Sequence, residues 1–183
     1  MNAAIEVIGE VGYPRASFAR IAEHAGLSST RLISYHFADK QDLNLAIVAD
    51  VMTAISASVG DRVSAEQSAA GMLRAYIEGV VEFVAANRAR MKALMELLLN
   101  GAMASGPSED VAVVSHVEQI LRLGQQRGEF RAFDPRIIAA TVQRSVDGLP
   151  FLLDSMPDLD PRAYAQELIT LFELGTRWRP DHE

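Results

Sequence analysis

Apolar residues recur along the chain three and four positions apart, in segment after segment, and never alternate as they would on a half-buried strand. The first such set is Ala4, Val7, Ile8 and Val11, and it breaks at Gly12-Tyr13-Pro14. The second is Phe18, Ile21, Ala22 and Ala25, with Ser17 placed as an N-cap and Gly26 as a stop. A short third helix is predicted from Ser28 or Ser29 to near Phe37. Asp39 then opens a fourth, with Asp42 three residues on resembling a capping box. The stripe of that helix is Leu43, Ala46, Ile47, Val51, Ala54 and Ile55.

Beyond Gly60 the periodic segments lengthen. One carries Leu73, Tyr76, Ile77, Val80, Phe83 and Val84, and the next Met91, Leu94, Met95 and Leu98. Gly101 to Ser108 reads as a flexible loop. A helix follows from about Glu109 to Arg127, ended by Gly128. Asp134-Pro135 and Asp160-Pro161 each pair an N-cap with proline at the first helical position. The helix after Asp134 is expected to end or kink near Pro150. The one after Asp160 carries Tyr164, Leu168, Leu171, Phe172, Gly175 and Trp178. The predicted fold is all-α with about nine helices: a three-helix head over residues 1–45 and a helical body over residues 46–183.

Composition narrows the chemistry. A chain of 183 residues can bury a sizeable core. It has no cysteine, which excludes disulfide scaffolds, cysteine zinc sites and thiol catalysis and fits a reducing cytoplasm. No apolar run approaches the roughly 20 residues of a membrane span, so no membrane association is expected. The first residues lack a basic region and carry acids early, unlike a signal peptide. The net charge of −7 argues mildly against nucleic acid. Its distribution softens that argument: residues 1–45 hold Arg15, Arg20, Arg31 and Lys40 against Glu6, Glu10, Glu23, Asp39 and Asp42, and the remaining negative charge lies beyond.

No catalytic constellation is evident. His24, His36, His116 and His182 lack zincin or di-iron spacing, and there is no Gly-rich phosphate loop and no nucleophile elbow. No metal and no cofactor is expected. The informative segment is residues 17–40, two short helices about a turn at Gly26-Leu27. In the second helix Leu32, Ile33 and Phe37 are expected to pack inward. The opposite face offers Ser29, Thr30, Arg31, Ser34, Tyr35 and His36, hydroxyls and donors that suit base edges and phosphates in a major groove. Lys40, near the start of the fourth helix, stands where an ammonium can share a phosphate. From pattern alone, a plain helical hairpin with a polar outside reads equally well.

These residues carry a resemblance. Ala4 to Ile8, Glu10-x-Gly12-Tyr13, Ser17-Phe18-x-x-Ile21-Ala22-x-x-Ala25-Gly26-Leu27-Ser28 and Ile33-Ser34-Tyr35-His36-Phe37-x-x-Lys40-x-x-Leu43 resemble the N-terminal signature of the TetR (tetracycline-repressor) family of transcriptional regulators, over about 45 residues. The rest of the chain matches that family in architecture only. The resemblance implies double-stranded DNA as partner, through a near-palindromic operator, with the third helix in the major groove. Tyr35 and His36 would contact phosphates, supported by Lys40 and Ser17. Ser29, Thr30, Arg31 and Ser34 would read bases, and Ser28 at the head of the helix joins the DNA-binding set. It also implies a homodimer and repression relieved by a small, apolar effector. Two departures accompany it. Between Gly26 and Phe37 the chain is one residue longer than the family's commonest spacing, and the short basic arm ahead of the first helix is absent from this sequence.

In the body, Phe83, Met91, Met95, Leu98, Val117 and Leu121 are the expected effector lining, methionine being adaptable to ligand shape. By the resemblance, the two proline-started helices would form the dimer interface, with Val142, Val146, Leu149, Leu168, Phe172 and Gly175 as its candidates. A helical ligand-binding or scaffold protein without DNA affinity is the alternative at this point.

Overall fold

A computed structural model of the chain describes residues 1–100 and 109–178. The predicted loop at Gly101–Ser108 and the histidine at 182 lie outside them. The described residues form α1 (Asn2–Val11), a 3-10 turn (Tyr13–Arg15), α2 (Phe18–His24), α3 (Arg31–His36), α4 (Lys40–Ala65), α5 (Ala69–Ala86), α6 (Arg88–Leu99), α7 (Glu109–Gln126), α8 (Pro135–Asp147), α9 (Leu149–Ser155) and α10 (Pro161–Thr176). The fold is all-α. The predicted eighth helix is divided at Gly148 into α8 and α9, so the nine predicted helices appear among the described residues as ten segments. Pro150 explains the break, because it lacks the N–H that would continue the ladder and its ring crowds the carbonyl four residues back. Asp134 and Asp160 cap as predicted, accepting hydrogen bonds from the backbone N–H of Arg136 and Arg162. The Arg136 guanidinium beside Asp134 also holds that carboxyl down at about 2.

Contacts divide the chain into two compact units. One comprises residues 1–54 together with α6; the other comprises residues 55–86 with α7 to α10. The predicted boundary at residue 45 falls within the first of these units. The reason lies in α1, which buries Ala4, Ile5, Val7 and Ile8 over an arc wider than α2 can cover. Helix α6 covers the rest with Met91, Leu94 and Met95, and Leu43, Ile47, Val48 and Val51 of α4 complete this core.

The second unit is organised around α5, which is buried on nearly every side by α10, α7, α8 and α9. Two glycines allow close approach there. A Cβ on Gly79 would stand 3.1 Å from a methyl of Val59, and one on Gly124 would collide with the Phe130 ring. A polar chain runs through this core. The Tyr76 hydroxyl donates to Gln143 Oε1 (2.6 Å), Gln143 Nε2 donates to Asp147 Oδ1 (2.6 Å), and the Arg144 guanidinium donates to Asp147 Oδ2 (2.9 Å). Burial, reinforced by the nearby Asp147 charge, pushes the Tyr76 phenol well above its ordinary range.

One sequence expectation needs correction. Helix α4 is long and apolar enough to cross a membrane by length and composition. Its apolar residues have another use, since Leu43, Ile47, Val48 and Val51 lie in the first unit's core and Asp50 on the same helix stands 3.7 Å from Arg90. These four residues form one buried stripe along the start of the helix.

Candidate nucleic-acid interface

The candidate interface is assembled by a series of local caps. Ser17, in extended conformation, accepts a hydrogen bond from the Arg20 N–H (3.2 Å) and starts α2. Helix α2 ends at Gly26, whose φ of +67° is the left-handed conformation that closes a helix, and the Leu27 N–H returns to the Ala22 carbonyl (2.8 Å). At the other end, Asp39 Oδ1 accepts from the Asp42 N–H (2.9 Å), while Asp42 Oδ2 reaches back to the Ala38 N–H (3.1 Å). This is the predicted reciprocal cap, displaced by one residue on its return bond. Helix α3 is held between these two fixed ends.

Helix α3 is shorter than predicted. It begins at Arg31, leaving Ser28, Ser29 and Thr30 in the turn before it. Ser29 Oγ takes the Arg31 N–H (3.4 Å), a local bond that competes with helix continuation. Within α3 only Ile33 is buried. Leu32, expected to pack inward, is instead 53% exposed. Ile33 and Phe37, one turn apart, already occupy the inward direction, and Leu32 lies about 100° from Ile33 around the helix. Arg31, Ser34, Tyr35 and His36 are exposed, Tyr35 to 81%. The Tyr35 ring meets His36 edge-on, with centroids 5.1 Å apart, which limits the directions its hydroxyl can take.

Lys40 departs from its expected role. Its Nζ donates to the Tyr13 carbonyl (2.8 Å) and lies 4.0 Å from the Tyr13 ring centroid. The half-buried ammonium ties the 3-10 turn to α4 and is not an open cation. Two residues missed in the sequence, Glu96 and Asn44, complete this node around Tyr13. The Tyr13 N–H donates to Glu96 Oε2 (3.1 Å), and Asn44 Nδ2 donates to the Tyr13 hydroxyl (3.3 Å). Tyr13 was legible only as part of the signature, and nothing in the pattern linked it to residues 31 and 83 positions away. The guanidinium of Arg31 has no partner among the described residues. Arg15 and Arg20 bond the carbonyls of Val11 and Arg15. The exposed face is thus rich in hydroxyls and rings and poor in free cations.

The other expected sites are dispersed. Phe83, Val117 and Leu121 are buried in the second unit, whereas Met91 and Met95 are buried and Leu98 half-buried in the first. The six are not gathered into either unit. A cleft of about 230 Å³ in the second unit is lined by other residues, among them Leu73, Arg74, Phe130, Ile169 and Glu173. Of the interface candidates, Val142, Val146, Leu149 and Phe172 are already covered by their own chain and have no surface left for a partner. Leu168 is half-buried and Gly175 exposed. The apolar surface on α10 that its own chain leaves open is Leu171 and Leu174, continued by Trp178 just past the helix.

These features define an all-helical protein whose N-terminal unit presents a helix-turn-helix. Residues 1–47 match the tetR family of bacterial regulatory proteins. The HTH-type transcriptional regulator BetI of Escherichia coli O17:K52:H18 (strain UMN026 / ExPEC) is 36% identical over 95 residues, 51% of this chain and 48% of that protein. The A-factor receptor protein of Streptomyces griseus is 28% identical over 158 residues, 85% of this chain and 54% of that one. The chain thus spans about half the length of the curated relatives it matches. A tetR-family regulatory protein from Rhodococcus RHA1 superposes with a TM-score of 0.84 at 21% identity, over 98% of this chain and 95% of that one. AibR, crystallised with isovaleryl coenzyme A and operator DNA, gives 0.79 at 20% identity, over 93% and 96%. The likeness to the tetR family of bacterial regulatory proteins is carried in sequence by residues 1–47, and the rest of the chain shares the fold of a solved tetR-family structure.

Proposed function

We propose that this protein is a DNA-binding transcriptional regulator, acting as a homodimer that docks two α3 helices on a near-palindromic operator in the cytoplasm. The observation that carries the reading is the face of α3. It lies between the Gly26 stop of α2 and the Asp39 cap of α4, it buries only Ile33, and it turns Arg31, Ser34, Tyr35 and His36 to solvent. Tyr35 and His36 serve as phosphate contacts, and Arg31 as a donor able to take guanine bidentately. Ser28, Ser29 and Thr30, placed before the helix, approach the same groove from the turn. Ser17 and Lys40 act indirectly, one capping α2 and the other bracing the 3-10 turn.

The same reading makes the body a sensor. A small ligand with an apolar portion shifts the protein between DNA-competent and released states, and repression is relieved when it binds. The crystallisation of AibR with both an acyl coenzyme A and operator DNA supports an effector of this kind for a protein of this fold. The exposed apolar stripe of α10 supports the dimer. The test is selection of duplex DNA from a random library by the full chain, followed by footprinting at moderate salt. A protected near-palindrome is expected. Absence of any enriched sequence at low salt overturns the reading in favour of a helical binding protein whose helix-turn-helix is only structural.

A further inference from the structure

We propose that Leu32 is a thymine-reading residue: on docking, its side chain packs against the C5-methyl of a thymine in the major groove. The inference rests on the DNA-binding reading above and adds a contact that the polar face alone does not supply. A single exposed leucine on a protein surface is ordinary. This one stands out because of its neighbours. Every other exposed residue of α3, namely Arg31, Ser34, Tyr35 and His36, carries a hydrogen-bonding group. At 3.6 residues per turn, Leu32 lies about 60° from Tyr35 and about 40° from His36, inside the face those two define. A helix that seats Tyr35 and His36 against DNA therefore carries Leu32 toward it as well.

The chemistry of the groove then selects the target. Base edges there present donors and acceptors, and a leucine pressed against them strips water without replacing its hydrogen bonds. Thymine alone offers a methyl group in the major groove. The charge balance of the segment strengthens the argument. Residues 1–45 carry four cations against five acids, and Lys40 is engaged with Tyr13. Attraction to phosphate is correspondingly weak, and contacts to base edges take a larger share of specific binding. The fold does not need Leu32, since Ile33 fills the inward position of α3.

The experiment begins with a site selected from random duplex DNA by the full wild-type chain. Each thymine of that site is replaced singly by deoxyuridine, which lacks only the C5-methyl, and affinity is measured for wild type and Leu32→Ala. One position per half-site is expected at which deoxyuridine weakens wild type about three- to tenfold. Leu32→Ala should bind the thymine and uracil forms of that position equally, with an unchanged circular dichroism spectrum. The proposal is overturned if every deoxyuridine substitution affects the two proteins alike. Should Leu32→Ala bind too weakly to measure, selection repeated with Leu32→Asn decides: loss of thymine at that position supports the proposal, and its retention sinks it. If wild type enriches no sequence at all, the DNA-binding reading fails first and this contact with it.

Discussion

Helices α3 and α10 both leave apolar side chains in water, and they do so in opposite ways. Helix α3 exposes one leucine among an arginine, a serine, a tyrosine and a histidine. Helix α10 exposes Leu171, Leu174 and Gly175, at spacings of three and four, and Trp178 is exposed just past its end. A nucleic acid is met by donors and acceptors fixed in direction, with apolar contact at isolated points. Another protein subunit is met by contiguous apolar area. Gly175 in the middle of the α10 row leaves room for a second helix to come close. On the proposed function, the contrast matches α3 to DNA and α10 to a second copy of the chain.

The sharpest way to break that contrast is to place charge in the α10 row. Leu171→Asp with Leu174→Asp should abolish dimerisation at micromolar concentration. Each leucine withdrawn from an apolar interface costs about 1.5–3 kcal/mol, so the pair weakens association at least a hundredfold. Analytical ultracentrifugation reads the mass directly, and helicity should be unchanged because both side chains face water in the single chain. A dimer that survives the double substitution would remove α10 from the interface.

The next largest effect concerns α3. Tyr35→Ala is expected to lower affinity for every DNA sequence by about tenfold to a hundredfold, the range of a hydrogen bond to a charged group. Arg31→Ala should instead alter which sequences are preferred. Fluorescence anisotropy against the selected site and a scrambled duplex separates the two, and neither variant should change the mass seen in the ultracentrifuge. An effect of Tyr35→Ala confined to one sequence would contradict its role as a phosphate contact.

The comparison also shows what the sequence could reveal. Helix positions were legible because caps and stops are local: Ser17, Gly26, Asp134-Pro135 and Asp160-Pro161 each act within a few residues. The outward direction of Arg31, Ser34, Tyr35 and His36 was legible from their polarity. Leu32 was misplaced because polarity gives a leucine no outward signal, and the inward space was filled by neighbours that the pattern treats as its equals. Helix α10 failed for a related reason. It is apolar on two sides, and periodicity cannot tell which side its own chain covers. The position of α5 decides that, burying Ala165, Ile169 and Phe172 and leaving Leu171 and Leu174 outside. The bond of Lys40 was not legible because its partner, the Tyr13 carbonyl, is a backbone atom 27 residues away.

Smaller effects test the interior that holds α10 in place. Gly124→Ala sets a methyl group against the Phe130 ring, which the close packing of that turn leaves no room to accommodate. A loss of about 1–3 kcal/mol in unfolding free energy is expected from overpacking, measured by urea denaturation. Phe130 pairs its backbone with the segment just after α10, so the α10 row should also lose definition. Unchanged stability in Gly124→Ala would show that Phe130 has an alternative seat.

Tyr76→Phe is the mildest substitution and the one whose effect depends on pH. Removing the hydroxyl leaves Gln143 Oε1 without its donor in a buried setting, and a cost of about 1–2 kcal/mol is expected at neutral pH. Burial first, and the negative charge of Asp147 second, raise the folded-state pKa of Tyr76 above its unfolded value near 10. A group raised in this way contributes its full stabilisation below the unfolded pKa. The contribution falls as pH climbs past about 10, because the unfolded phenol then ionises while the folded one resists. Phenylalanine cannot ionise, so the variant lacks this alkaline loss. The stability gap between wild type and Tyr76→Phe should therefore be constant from neutral pH to about 9 and narrow above 10. A gap that holds its size at high pH would mean that water reaches the phenol, and that the polar chain from Tyr76 to Asp147 opens in solution.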